Sequence, residues 1–187
     1  MRAVPFFVMA LTVLSGARVA CAEPEWNAAA RGSLCGLGAQ GKIWQKRAFC
    51  GALRADLLFG RDRNADFAWG PYATLGTAKF SDVRLGGGLS LLAPTFSGDF
   101  PVLFSIGGAS RDLSDTRLSG ELFFGLRSHN FHGAYAMASG VVVGGDAALT
   151  GTRQNTLYLG LQIDGLWLAL PFILGYEWLR AAPDPGD

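Results

Sequence analysis

Thr156-Leu157-Tyr158-Leu159-Gly160-Leu161-Gln162-Ile163-Asp164 carries a large aliphatic side chain at every second position, with polar or small residues between them. A period of two means a β-strand, because successive side chains point to opposite faces. The same parity runs outward from this stretch. Phe49, Leu53, Leu57 and Phe59 alternate with Cys50, Ala52, Arg54 and Asp56. Leu118, Leu122, Phe124 and Leu126 alternate with Arg117, Ser119, Glu121 and Gly125. One face is bulky and apolar, the other small or ionic. That division suits a barrel with lipid outside and a polar interior.

Eight such segments can be drawn between residues 48 and 180, over about 48–60, 67–78, 83–93, 101–110, 116–128, 134–145, 156–164 and 166–179. Strands of about ten tilted residues match a bilayer core. An even, antiparallel set joined by short links lets the sheet close, and closure removes edges that would leave backbone groups unpaired in hydrocarbon. The fold expected is therefore all-β, an antiparallel up-and-down transmembrane β-barrel. Phe49, Phe59, Phe67, Phe80, Phe100, Tyr176 and Trp178 cluster towards strand ends, as in an interfacial girdle. In the last segment Asp164-Gly165 reads as a tight hairpin. Pro171 fits a strand there only through a bulge, since a closed barrel has no edge.

The chain of 187 residues is of one-domain size. Arg2 followed by the apolar run Val4–Leu14 and by Ala20-Cys21-Ala22 reads as a signal peptide over 1–22. Arg18 stands where a lipobox carries an aliphatic residue, so ordinary cleavage is expected. Residues 23–47 lack the alternation and are expected to form an N-terminal periplasmic segment before the barrel; 26–31 is compatible with a short helix, and the sequence does not choose between the periplasm, the barrel end and the barrel interior for it. Residues 181–187 read as a flexible tail. Removing 1–22 takes Arg2 and Arg18 from the 16 basic residues, leaving them nearly balanced by 15 acidic ones. There is no basic stripe for a nucleic acid. With only Lys42, Lys46 and Lys79 as lysines, the charges are too few to coat a soluble barrel. Cys35 and Cys50 form an even pair in an exported chain and are expected to be joined.

The inward parity holds Arg54, Arg84, Arg117 and Arg127 against Asp56, Glu121, Asp164 and Glu177. An eight-stranded barrel has an interior just wide enough for side chains to fill. Buried charges need partners, so a lumen stitched by Arg–carboxylate pairs is expected, with waters beside the glycines. Distance along each strand puts Asp56, Arg127 and Asp164 towards one end, Arg84, Arg117 and Glu177 towards the other, and Arg54 and Glu121 between. His129 and His132 lack an evident third ligand, so no metal site is expected. Ser128 and His129 point to opposite faces as strand neighbours, which argues against a nucleophile–base pair and an enzyme. Gly86-Gly87-Gly88 precedes strand rather than helix, so it is no phosphate loop, and no cofactor is implied.

This pattern resembles the small eight-stranded outer-membrane β-barrels of Gram-negative bacteria, a class that includes the transmembrane domain of outer membrane protein A. The resemblance is architectural and covers about residues 48–180. It departs in the residues after Trp178, where the class often ends on an aromatic, and in its short outer loops near 61–66, 94–100, 128–133 and 164–166. The resemblance implies the bacterial outer membrane as location, with outer-membrane lipid and the barrel-assembly machinery as partners. Three functions fit: a structural or anchoring barrel with a filled lumen, a small gated pore or ligand channel, and a soluble periplasmic barrel holding an apolar ligand. The first accounts best for the balanced interior charges.

Overall fold

The computed structural model describes residues 24–39, 45–60, 67–93, 102–111, 115–131, 134–150 and 154–180, and of residues 39, 126–131 and 134–139 the backbone alone. Eight strands form one closed antiparallel barrel: β1 (Glu25–Ala39), β2 (Lys46–Leu58), β3 (Ala68–Ala78), β4 (Asp82–Ala93), β5 (Val102–Ser110), β6 (Thr116–Phe131), β7 (Ala134–Ala148) and β8 (Gln154–Asp164). Each pairs with its neighbours in sequence, and β1 closes the ring by pairing with β8 from Ala29–Asp164 to Ala39–Gln154. One helix, α1 (Gly165–Arg180), follows.

Two expectations about the ends are corrected. Glu25–Ala39 is the first barrel strand, not a periplasmic segment with a helix. Its alternation is weak because Ala28, Ala29, Ala30, Gly32, Ser33, Gly36 and Gly38 put small residues on both faces. Conversely, 166–179 is not the eighth strand. With β1 on β8, the sheet has no free edge to accept it. The segment is apolar on both parities, with Trp167, Ala169, Ile173 and Leu179 on the side that should be polar. It coils into a helix and satisfies its backbone internally. Asp164-Gly165 is accordingly a helix start rather than a hairpin: Asp164 Oδ1 accepts the Leu166 N–H at 2.7 Å, as an N-cap does. The expected signal peptide over 1–22 and the expected tail over 181–187 fall outside the described residues.

Following paired residues once around the barrel leads from Asn27 through Asp56, Tyr72, Gly88, Gly107, Ser119, Asp146 and Thr156 to Leu37, ten residues further along β1. This stagger is the tilt that closure requires. The chain enters β1 and leaves β8 at the same end, here termed the terminal end. Shifting the strand count by one brings the strand ends Leu58, Ala68, Ala93, Val102, Phe131 and Ala134, which border the loops expected to face outward, to that end. The strand ends Ala39, Lys46, Ala78, Asp82, Ser110, Thr116, Ala148 and Gln154 lie at the opposite, far end.

The outer face follows the sequence parity. Leu34, Leu53, Trp69, Leu89, Phe104, Leu118, Val141 and Leu161, one from each strand, are between 46% and 69% exposed. Inside lie the charged side chains and a compact apolar group: Leu58, Ala68, Leu92, Leu103, Phe123 and Val142 are wholly excluded from solvent. At the far end β3 turns into β4 through Lys79 and Phe80, both with positive φ (56° and 58°). The Ser81 N–H donates back to the Ala78 carbonyl, and the Phe80 ring stacks on Phe49 at 5.7 Å.

Candidate functional site

The interior is built in layers. At the terminal end, Leu58, Ala68, Leu92 and Leu103 on β2–β5 pack to one side. On the other side Asn27 Nδ2 donates to Asp164 Oδ2 at 3.0 Å. Asp164 therefore joins β1 to the start of α1 through its two oxygens.

The middle layer is a connected ionic chain. Arg54 Nε and Nη2 donate to Asp56 at 2.8 and 2.7 Å, and Nη1 donates to Glu121 Oε1 at 2.6 Å. Nη2 also lies 2.7 Å from Ser90 Oγ and 2.6 Å from Ser105 Oγ. The guanidinium sits 4.3 Å over the Tyr72 ring. Glu121 Oε2 takes a second guanidinium, that of Arg31, and the Tyr158 hydroxyl at 2.8 Å. Arg31 stacks on the Tyr158 ring at 4.7 Å. Asp56–Arg54–Glu121–Arg31 thus alternates in sign and carries no net charge. Such a chain meets the cost of desolvating each ion with a neighbour on the spot.

Beyond it, Arg84 pairs with Asp82 and lies 3.7 Å from Asp146. Arg117 donates to Asp115 Oδ2 at 3.1 Å and to the Gln154 carbonyl at 2.7 Å. Between the middle layer and this rim is a cavity of about 70 Å³ bordered by Arg31, Tyr72, Arg84, Glu121, Asp146 and Tyr158. It has room for a few waters, each needing about 10–15 Å³ of such space. Thr77 Oγ1, Arg84 Nε and Thr156 Oγ1 are buried there or beside it without a protein partner among the described residues. The Cys35–Cys50 disulfide joins β1 to β2 in this half of the barrel.

Of the eight charges singled out by parity, Arg54, Asp56 and Glu121 meet directly. Arg84 and Arg117 lie towards the far rim, and Asp164 lies at the terminal end. Glu177 does not enter the lumen: it is exposed on α1, because its segment is helical. The side chain of Arg127, like those of Ser128 and His129, lies outside what is described, as does His132. Sequence reasoning missed Arg31, which was set aside with the segment before the barrel. It also missed Asp146, which was assigned to a connection. The inward parity already contained Tyr158. Among the described residues no group of three His, Cys, Asp or Glu side chains is placed to hold a metal.

No family model matches the chain, and neither the curated proteins nor the solved structures include one that matches it.

Proposed function

We propose that the protein is an outer-membrane barrel with a structural or anchoring role, its lumen closed by packed and ion-paired side chains. One observation carries this reading: every strand turns large apolar side chains outward, while the buried arginines and carboxylates face one another inside. Monomeric soluble proteins seldom expose apolar patches beyond a few hundred Å², and here the apolar surface runs round the whole wall. A water-soluble carrier of an apolar ligand needs the opposite arrangement. The filled lumen favours anchoring over conduction, since Arg54 is 4% exposed and the apolar layer at the terminal end is inaccessible to solvent.

In this reading the chain's ends lie on the periplasmic side and the far-end turns face outward. The test is electrophoretic mobility of the outer-membrane fraction, boiled against unboiled, followed by single-channel recording of the purified protein in planar bilayers. Heat-dependent mobility with a silent bilayer is expected. Recovery in the soluble periplasmic fraction would overturn the membrane assignment, and steady conductance would overturn the closed lumen.

A further inference from the structure

Helix α1 runs for 16 residues without a buried side chain. Trp167, Phe172, Leu174, Tyr176, Trp178 and Leu179 are between 54% and 79% exposed. At about 100° per residue these positions, with the other apolar residues between them, project around most of the helix circumference. A protein groove covers one stripe of a helix, and a surface helix built for one shows a polar face opposite. This helix has no polar face. Acyl chains, which surround an element from all sides, are the environment that matches it.

Its length and charges narrow the placement. Sixteen residues rise about 24 Å, short of the roughly 30 Å hydrocarbon core, and none of the described helices is long and apolar enough to cross a membrane. From Gly165 to Tyr176 there is no ionisable residue except that tyrosine itself, and Glu177 and Arg180 come only in the last turn. Tyr176 and Trp178 flank this charged end, and amphipathic rings favour the headgroup level. The other end is fixed to the barrel rim by the Asp164 cap and by the close approach of Gly165 to Ala28. Pro171 withholds the N–H that the Trp167 carbonyl would accept. An unmatched carbonyl is tolerated near headgroups and is costly at the midplane.

We infer that α1 is an arm embedded in the lipid leaflet at the terminal end of the barrel, lying along that leaflet with both of its ends at headgroup level. The inference rests on the membrane reading above. It adds that the residues after the barrel bind acyl chains rather than a protein partner or a second copy of the chain.

Tryptophan quenching separates the two claims. Full-length variants that keep only Trp69, only Trp167 or only Trp178, with phenylalanine at the other tryptophans, are refolded into phosphatidylcholine vesicles with or without brominated acyl chains. Trp69, on the outer face of β3, reports on the wall. The expected result is bromine quenching of Trp167 and Trp178 at least half as strong as that of Trp69. Quenching of Trp69 without quenching of the helix tryptophans overturns the arm and leaves the barrel in the membrane. No quenching of Trp69 overturns both. A gentler comparison uses Trp167→Phe/Trp178→Phe in the otherwise unaltered chain. Its quenchable fraction falls below that of the parent if the helix is in lipid and rises above it if the helix is in water or inside a protein contact.

Discussion

Replacing Arg54 with methionine keeps the stem and removes the charge at the centre of the ionic chain. The guanidinium serves two carboxylates and touches two serine hydroxyls. In its absence Asp56 retains the Ser90 hydroxyl at 2.9 Å, and Glu121 retains Arg31 and Tyr158. Asp56 then stands as a buried charge with no cation, a loss that typically costs about 3–5 kcal/mol. With a urea slope of about 2 kcal/mol per molar, the midpoint falls by about 2 M. Arg54→Met/Asp56→Asn removes both signs together and leaves the neutral Glu121–Arg31 pair, so at least half of the loss is recovered. The assay is urea unfolding of detergent-refolded protein, followed by tryptophan emission and by gel mobility. A single variant within about 0.3 M of the parent would refute the argument. So would a double variant less stable than the single one, because compensation between contacting sites is what the geometry requires.

Leu122→Arg, on the outer face, should lower the yield of membrane-assembled protein by an amount equivalent to about 2–4 kcal/mol near the midplane. Ser119→Arg should assemble better, since Ser119 borders the cavity beside Glu121 and Asp146; the reverse ranking in a vesicle-folding assay would invert inside and outside. Gly88→Ala would drive a methyl group into the backbone of Ile106 and Gly107, whereas a methyl at Gly120 meets nothing within 4 Å. The first should destabilise by about 1–3 kcal/mol and the second by far less, as read from urea midpoints. Lys79→Asn/Phe80→Gly installs the pair preferred where both central turn residues have positive φ. It should raise stability by about 1 kcal/mol; a lower urea midpoint would refute the claim that backbone relief at this turn outweighs the Phe49–Phe80 stacking.

The central strands were legible because each sets Leu, Phe or Val against Gly, Ser, Ala or a charge, and the solvent accessibility of the wall follows that alternation. β1 was illegible for want of contrast. In Ala28-Ala29-Ala30 both parities read alike, and what makes the segment a strand is pairing with β2 and β8, which no local window contains. Arg31 was lost with it, although its guanidinium completes the charge balance around Glu121. The last segment misled in the opposite way. Leu166 to Trp178 alternates well enough to pass for a strand when the second parity is ignored, yet Trp167, Ile173 and Leu179 leave no face for a polar lumen. The sign that could have separated the cases was Asp164 directly before an unbroken apolar run, a helix-start pattern. The disulfide was within reach because the cysteines that remain after a predicted cleavage form one pair.

The seam between β1 and β8 also sets an order of events. Apart from a single parallel bridge between β1 and β7, Trp26 to Ala134, every other pairing joins strands adjacent in sequence and can form as a hairpin while the chain is incomplete. The seam joins the first strand to the last, Ala29 to Asp164, so it cannot form until residue 164 is available. It also bears the largest loop-closure entropy of the set. Until then the outer edge of β1 shows unpaired N–H and C=O groups to any passing strand. The Cys35–Cys50 bond fastens the other edge of β1 to β2. Oxidation before closure therefore presents the waiting strand already docked and in register. The final step becomes the meeting of two preformed edges, and in a reducing compartment the same step begins with a strand free to slip.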